Sequence, residues 1–168
     1  MAGRFAGEHL LAAGHRDGVY LVGETPDMLL AAAERRQGLE DVLAAEGLKI
    51  AGHIDCHWWP EAAFEAVSTL VFEQEQPTAF VCLNDRVAMG TYQALARAGL
   101  PIPEAVSIVS FDDSMLASWL QPQLTSIAIP HRAIGERAID LLLNPDERPV
   151  VHRMPMRLHA RGSVAPPR

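Results

Sequence analysis

The chain has 168 residues, 49% of them hydrophobic and 21% charged, with a formal net charge of -7. That length suits one domain able to bury a sizeable core, and no uninterrupted apolar run is long enough to cross a bilayer. Acidic and basic residues are interspersed, so no basic face for neutralising phosphates is evident, and direct DNA binding by these residues is not expected.

At the amino terminus Phe5, Leu10 and Ala13 share one face of a short helix that Gly14 ends. Arg4, Glu8 and His9 interrupt the apolar stretch that a secretory signal needs, so the cytoplasm is the expected compartment. Val19 to Val22 reads as the first strand, with Gly18 weakening its start, and Gly23 to Pro26 as the loop at its carboxyl end. Met28 through Leu48, rich in Ala, Leu, Glu and Arg, predicts a long helix stopped by Gly47.

Ala51 to His57 predicts a second strand, along which His53, Asp55 and His57 alternate on one face. The trio invites a metal reading, but its spacing lacks the reinforcement of a known zinc site, and no metal is expected. Trp58 and Trp59 follow in the loop. Pro60 suits the first turn of a helix running to about Glu73, with Ala63, Phe64, Val67, Leu70 and Val71 on its buried side. Cys56 and Cys82 each fall within an expected buried strand and outside any C-x-x-C pair, as reduced core thiols do.

The stretch from Pro77 to Ile127 carries the clearest pattern. Ala79 to Leu83 is apolar without alternation and is bounded by Pro77-Thr78 and Asn84-Asp85, like a strand buried on both faces of a parallel sheet. Asp85 or Asn84 caps the next helix, where Val87, Ala88, Tyr92, Leu95 and Ala96 recur at helical spacing until Gly99. Pro101 and Pro103 turn the chain into a second buried strand, Val106 to Ser110, which ends in Phe111-Asp112-Asp113. This βαβ unit sets polar residues at the carboxyl ends of two adjacent strands, where open parallel sheets bind ligands. Leu124 to Ile127 is a further strand or crossover. Pro130 begins a helix with Ala133, Ile134, Ala138, Leu141 and Leu142 as its apolar face, and Val150 to Leu158 alternates like an edge strand.

Catalysis finds no support in these patterns. The chain has no G-x-S-x-G elbow, no phosphate-cradling glycine loop and no repeated Ser/His context. Adjacent Asp112 and Asp113 are expected to point different ways, one to the cleft and one to a helix cap, so they do not form a facing acid/base pair. Neither an enzyme nor a cofactor is expected.

The run L-N-D-R-V-A-M-G at 83–90, then G-L-P-I-P-E-A-V-S-I-V-S-F-D-D at 99–113, then Q-P-Q-L-T-S-I-A-I-P at 121–130 resembles the effector-binding core of the lactose/galactose repressor family of bacterial transcription regulators. Ile134-Gly135 and Arg161-Gly162-Ser163 extend the likeness. The resemblance implies a three-layer α/β fold with a doubly wound, mostly parallel sheet, one lobe of a periplasmic-binding-protein-like type I fold. It implies that a full relative carries a helix-turn-helix headpiece, a hinge and a first lobe ahead of Gly14-His15, with residues 1–17 and about 130–145 belonging to that first lobe.

The function implied is allosteric. A small sugar-like effector between two lobes favours a closed arrangement of a homodimer and changes affinity for operator DNA through a headpiece outside this chain. In the family's R-x-x-G pattern Arg35, three residues before Gly38, points into the cleft; a solvated arginine paired with Glu34 or Glu40 is the alternative. Asn84 and Asp112 would hydrogen-bond hydroxyls, and Trp58 would stack on the apolar face of a sugar ring. His131 joins them at the cleft's edge, near Ile129, where the family places a polar residue. A solute-binding protein of sugar transport and a ligand-free dimerisation module are the alternative functions. With the first lobe outside these residues, the helix after Pro130 should leave an apolar stripe exposed and drive self-association. Sedimentation should show mass rising with concentration; a monomer at every concentration overturns this.

Overall fold

The structure is a computed structural model that describes residues 2–24, 30–72, 76–145, 148 and 150–168. In chain order the elements are α1 (Ala2–Ala13), β1 (Val19–Gly23), α2 (Leu30–Ala45), β2 (Gly52–Asp55), α3 (Pro60–Phe72) and β3 (Ala79–Cys82). They continue with α4 (Asp85–Arg97), β4 (Ser107–Asp112), α5 (Met115–Trp119), β5 (Thr125–Ala128), α6 (His131–Leu143) and β6 (Arg157–His159). One six-stranded sheet has the order β2-β1-β3-β4-β5-β6, parallel except for β6, which runs antiparallel to β5.

Side chains alternate across each strand, and here both faces are covered, so the core divides in two. Val19 and Leu21 of β1 and Val81 of β3 pack with Ala6 and Leu10 of α1 and Leu39 and Leu43 of α2. Tyr20, Val22, Phe80 and Cys82 face the other way, onto Ala63 and Val67 of α3 and Val87, Ala88 and Leu95 of α4. Every residue of β1 and β3 is buried, which is why their sequences show no polar alternation. Each large apolar side chain so covered contributes roughly 1.5–3 kcal/mol. Cys56, just past β2, and Cys82 are free thiols, and burial pushes both up from their ordinary range.

Helix α1, expected to belong to a first lobe, packs against α2, with Ala2, Ala6 and Leu10 in the core. The two helices cross at backbone contact: a Cβ at Gly3 would lie 1.8 Å from the Arg35 carbonyl oxygen, and one at Gly38 would lie 3.0 Å from Arg4 N. The glycine of the R-x-x-G pattern therefore makes room for α1, and that crossing fixes the backbone that carries Arg35. Gly18 stands before β1 at φ +62, a conformation open to glycine, and its carbonyl accepts from Thr78 N at 2.9 Å.

Other boundaries move for local reasons. Helix α2 is described from Leu30, so Met28 lies outside the described residues, as do Thr25 and Pro26 of the first loop and Glu73 at the end of α3. The strand expected over Ala51 to His57 narrows to β2, and His57 has already left it at φ +51. The edge strand expected over Val150 to Leu158 forms only as β6. Its register runs Ser126↔His159 to Ala128↔Arg157, so the next partners would be Ile129 and Pro130, where Pro130 lacks an N–H and α6 begins. Val151, upstream, is 79% exposed. Helix α6 has no buried residue, and Leu142 on it is 78% exposed.

The carboxyl-terminal segment bolts two strands together. Ser163 Oγ accepts from Thr125 N at 2.8 Å and donates to the Ile108 carbonyl at 2.6 Å, while Ile108 N donates to the Ser163 carbonyl at 2.8 Å. Ser163 is fully buried between β4 and the start of β5.

A second tie lies at the opposite end of these strands. Asn84 is the N-cap of α4, its Oδ1 accepting from Val87 N at 2.7 Å, which leaves Asp85 free for another partner set. The Asp85 carboxylate is buried and accepts from Ser110 Oγ, from Ser126 Oγ at 2.8 Å and from Ser114 N at 2.6 Å. It joins the start of α4 to β4, β5 and the α5 turn. Asp85→Ala should destabilise the chain by about 3 kcal/mol, because two hydroxyls and an N–H lose a charged acceptor. Thermal denaturation should read this as a fall of roughly 6 to 12 °C; an unchanged midpoint overturns the assignment.

Candidate functional site

Strand β1 is flanked by β2 on one side and β3 on the other, so the direction of winding reverses there and a crevice opens at the carboxyl ends. The loops after β2 and β3 bring Trp58 and Asn84 to this edge, Asp112 ends β4 there, His131 opens α6 after β5, and α2 adds Arg35.

Asp112 ends β4 at φ +103, and Asp113 follows at φ +51. Two consecutive non-glycine residues in this region are strained, and such strain persists only where the surroundings hold it. The hold comes from Asp113 N, which donates to Ser126 Oγ at 3.0 Å. Asp113 is not the helix cap expected from the sequence: its carboxylate meets Arg161 Nη1 at 2.7 Å and His159 Nδ1 at 2.5 Å, while Ser114 takes the N-cap position of α5. Asp112 is left to face Arg35, whose Nη2 lies 3.8 Å from its Oδ1.

Arg35 is fastened from behind. Its Nη1 donates to the Leu83 carbonyl at 2.5 Å, and its guanidinium lies 4.7 Å from the centre of the Phe111 ring. The solvated pairing with Glu34 or Glu40 does not occur: Arg36 takes Glu40 at 2.7 Å, and Arg153 takes Glu34 at 3.4 Å. Burial lowers the Arg35 pKa against the opposing pull of Asp112 and Asp85. Burial also pushes the Asp112 carboxyl up to about 6, with Asp85 adding to the rise and Arg35, His131 and Arg86 opposing it.

The remaining residues differ in what they can offer. Asn84 has committed Oδ1 to its cap, so its amide N–H groups are what it can present to a ligand. Trp58 is half-buried and packs on the core face formed with α1 and α2, whereas Trp59 is 59% exposed beneath Arg86, whose guanidinium lies 5.8 Å from the indole centre. His131 opens α6 in an exposed position, close enough to Asp112 to act on its charge. His53 and His57 part company: His53 Nε2 donates to the Gly23 carbonyl at 3.1 Å, and His57 Nδ1 lies 3.6 Å from Glu24. Among the described residues no three such side chains are grouped to hold a metal ion.

A carboxylate acceptor, guanidinium and amide donors and a half-buried indole suit reversible capture of a polyhydroxylated molecule. Beside them, Arg35 also borders an apolar groove of about 710 Å³, lined by Phe5, Leu30, Ile134, Leu141 and Met156 among others. Sequence reasoning missed the part played by Asp85 and the position of Arg86. The signal for Asp85 was there: Ser110 and Ser126 stand in otherwise apolar buried strands, and buried hydroxyls require a partner.

The sequence profile of the periplasmic binding protein-like domain matches residues 8–164. The ribose operon repressor of Haemophilus influenzae is 32% identical over 153 residues, covering 88% of this chain and 46% of the repressor. The HTH-type transcriptional repressor PurR of Vibrio atlanticus is 31% identical over 147 residues, 84% of this chain and 42% of that protein. The chain thus spans about half the length of the curated relatives it matches. Among solved structures, a dimeric Lac repressor with a carboxyl-terminal deletion superposes with a TM-score of 0.91 at 26% identity, over 99% of this chain and 62% of that one. A LacI family regulator from Enterococcus faecium with bound ribose gives 0.86 at 26% identity, over 99% and 63%. Sheet order, strand-end site and these likenesses agree: the chain belongs to the periplasmic binding protein-like domain family, as an effector-domain portion of the LacI-family kind.

Proposed function

We propose that this chain is the ligand-sensing and dimerisation part of a LacI/GalR-type transcriptional regulator working in the cytoplasm. It forms one wall of an interlobe cleft for a small sugar-like effector, and a first lobe covers the exposed face of α6. Operator DNA is reached only through a headpiece outside these residues. The observation that carries the reading is the Asp112 carboxylate, turned toward the crevice by a strained backbone and facing Arg35 across 3.8 Å. The ribose named for two of the relatives makes pentoses the first ligands to test.

In this reading Asp112 accepts two ligand hydroxyl hydrogens, Arg35 and the Asn84 amide donate to ligand oxygens, and Trp58 covers an apolar ring face. His131 stands at the rim. Occupancy closes the lobes only to the extent that the ligand binds the closed arrangement better than the open one. The work of the site is binding, with no bond made or broken.

An ionised Asp112 is needed to accept hydroxyl hydrogens, and its pKa stands at about 6, so affinity is present above that value and falls as pH drops through it. Calorimetric titration with a panel of pentoses and hexoses should find at least one ligand whose affinity falls between pH 7 and pH 5. Asp112→Asn should weaken that ligand about ten-fold or more and flatten the pH dependence. No binding by any sugar would favour the ligand-free dimerisation module; binding untouched by Asp112→Asn would remove Asp112 from the site.

A further inference from the structure

We propose that the effector carries an anionic group beside its hydroxyls and that Arg86 is the specificity-determining residue that reads it; this rests on the effector-sensing reading above. Several carboxylates at the strand ends already have partners. Asp85 is enclosed by three donors, Asp113 is paired with Arg161 and His159, and Glu24 faces His57. The Asp112 carboxylate faces the crevice, where it already meets Arg35. Arg86 is a second guanidinium at the same edge, with no carboxylate partner within ion-pair distance among the described residues.

Its placement is not that of a freely waving surface arginine. Arg86 follows Asn84-Asp85 directly, so the cap at Asn84 and the enclosed carboxylate of Asp85 fix its backbone. Its guanidinium rests over the exposed Trp59 ring, 5.8 Å from the centre, which holds the planar fork in place while leaving its donors uncommitted. It is also near enough to Asp112 to oppose the upward push on that carboxyl. The crevice therefore sets a hydroxyl-reading carboxylate beside a held guanidinium, with Arg35 adding a second positive charge.

A neutral sugar would satisfy Asp112 and leave Arg86 without a counter-charge. A sugar phosphate or sugar acid satisfies both, because a guanidinium fork matches two oxygens of a phosphate monoester or carboxylate.

The test follows the Trp59 indole and Arg86 Nε–H signals in ¹⁵N–¹H spectra of the 168-residue chain during titration with ribose, ribose 5-phosphate, ribonate and inorganic phosphate. Ribose 5-phosphate or ribonate should bind about ten-fold more tightly than ribose. Arg86→Gln should shrink that preference to within about three-fold, and Arg86→Lys, which keeps the charge but loses the fork and the stacking on Trp59, should retain only part of it. Equal affinities for ribose and its acidic forms, or an Arg86→Gln loss shared equally by all three, overturn the inference and leave the sensing reading standing. Inorganic phosphate binding as tightly as ribose 5-phosphate also overturns it, since the hydroxyls would then contribute nothing. If none of the four ligands moves cleft signals, the inference falls, while the sensing reading stands or falls separately on the panel of pentoses and hexoses.

Discussion

A single enclosed negative charge holds the ligand-facing edge of this lobe in shape. Asp85 sits at the first turn of α4 with its carboxylate out of water, and removing such a charge from solvent is costly unless it is fully hydrogen-bonded. Three donors from three different places meet that need: a hydroxyl from β4, a hydroxyl from β5 and a backbone N–H from the turn after β4. The relay goes one step further. Ser126 gives its proton to Asp85 and in turn accepts from Asp113 N, so the same charge steadies the backbone that points Asp112 into the crevice. Left-handed conformations at Asp112 and Asp113 are unfavourable alone, and here the polar network determines them.

Much of the fold was legible because burial leaves a mark on composition. β1 and β3 are covered on both faces, and their sequences say so by lacking any polar alternation; α4 announces itself by its N-cap and by Gly99. The errors lie where distant partners decide the outcome. Nothing in the local sequence separates Asn84 from Asp85 as the cap, because either can accept an N–H, and the choice is made by serines 25 and 41 residues away. Asp113 is drawn from a helix cap to Arg161 and His159, which reach it only once β6 has paired. The glycines of helix α1 carry no visible instruction in the sequence; their meaning is the backbone of α2 lying against them. The alternation over Val150 to Leu158 was a true pattern without a partner strand to complete it.

The candidate site's electrostatics were not legible in the sequence. Strand-end position suggested Asn84 and Asp112, the family resemblance suggested Arg35, Trp58 and His131, and all five stand at or near the carboxyl-end edge of the sheet. Their individual capacities follow from contacts no motif contains. Asn84 has its oxygen engaged at the cap and its amide nitrogen free to donate, Arg35 is tethered to a carbonyl, and Asp112 is lifted toward neutrality by its surroundings. The edge is also mechanically uneven. Its floor is a sheet with both faces packed, whereas α6, which carries His131, has no fully buried residue and so contributes few core contacts to hold it.

Ser163 carries a consequence for how the molecule comes into being. It joins Ile108 to Thr125, residues 55 and 38 positions earlier, by taking up Thr125 N and the N–H and carbonyl of Ile108. During synthesis β1 through β5 emerge before this residue does, so the β4–β5 ladder can form first and the ties through Ser163 are added afterwards. Until it is in place, Thr125 N and the Ile108 N–H and carbonyl lack the partners they have in the finished sheet, so the start of the β4–β5 seam is the part whose order depends on a residue far along the chain.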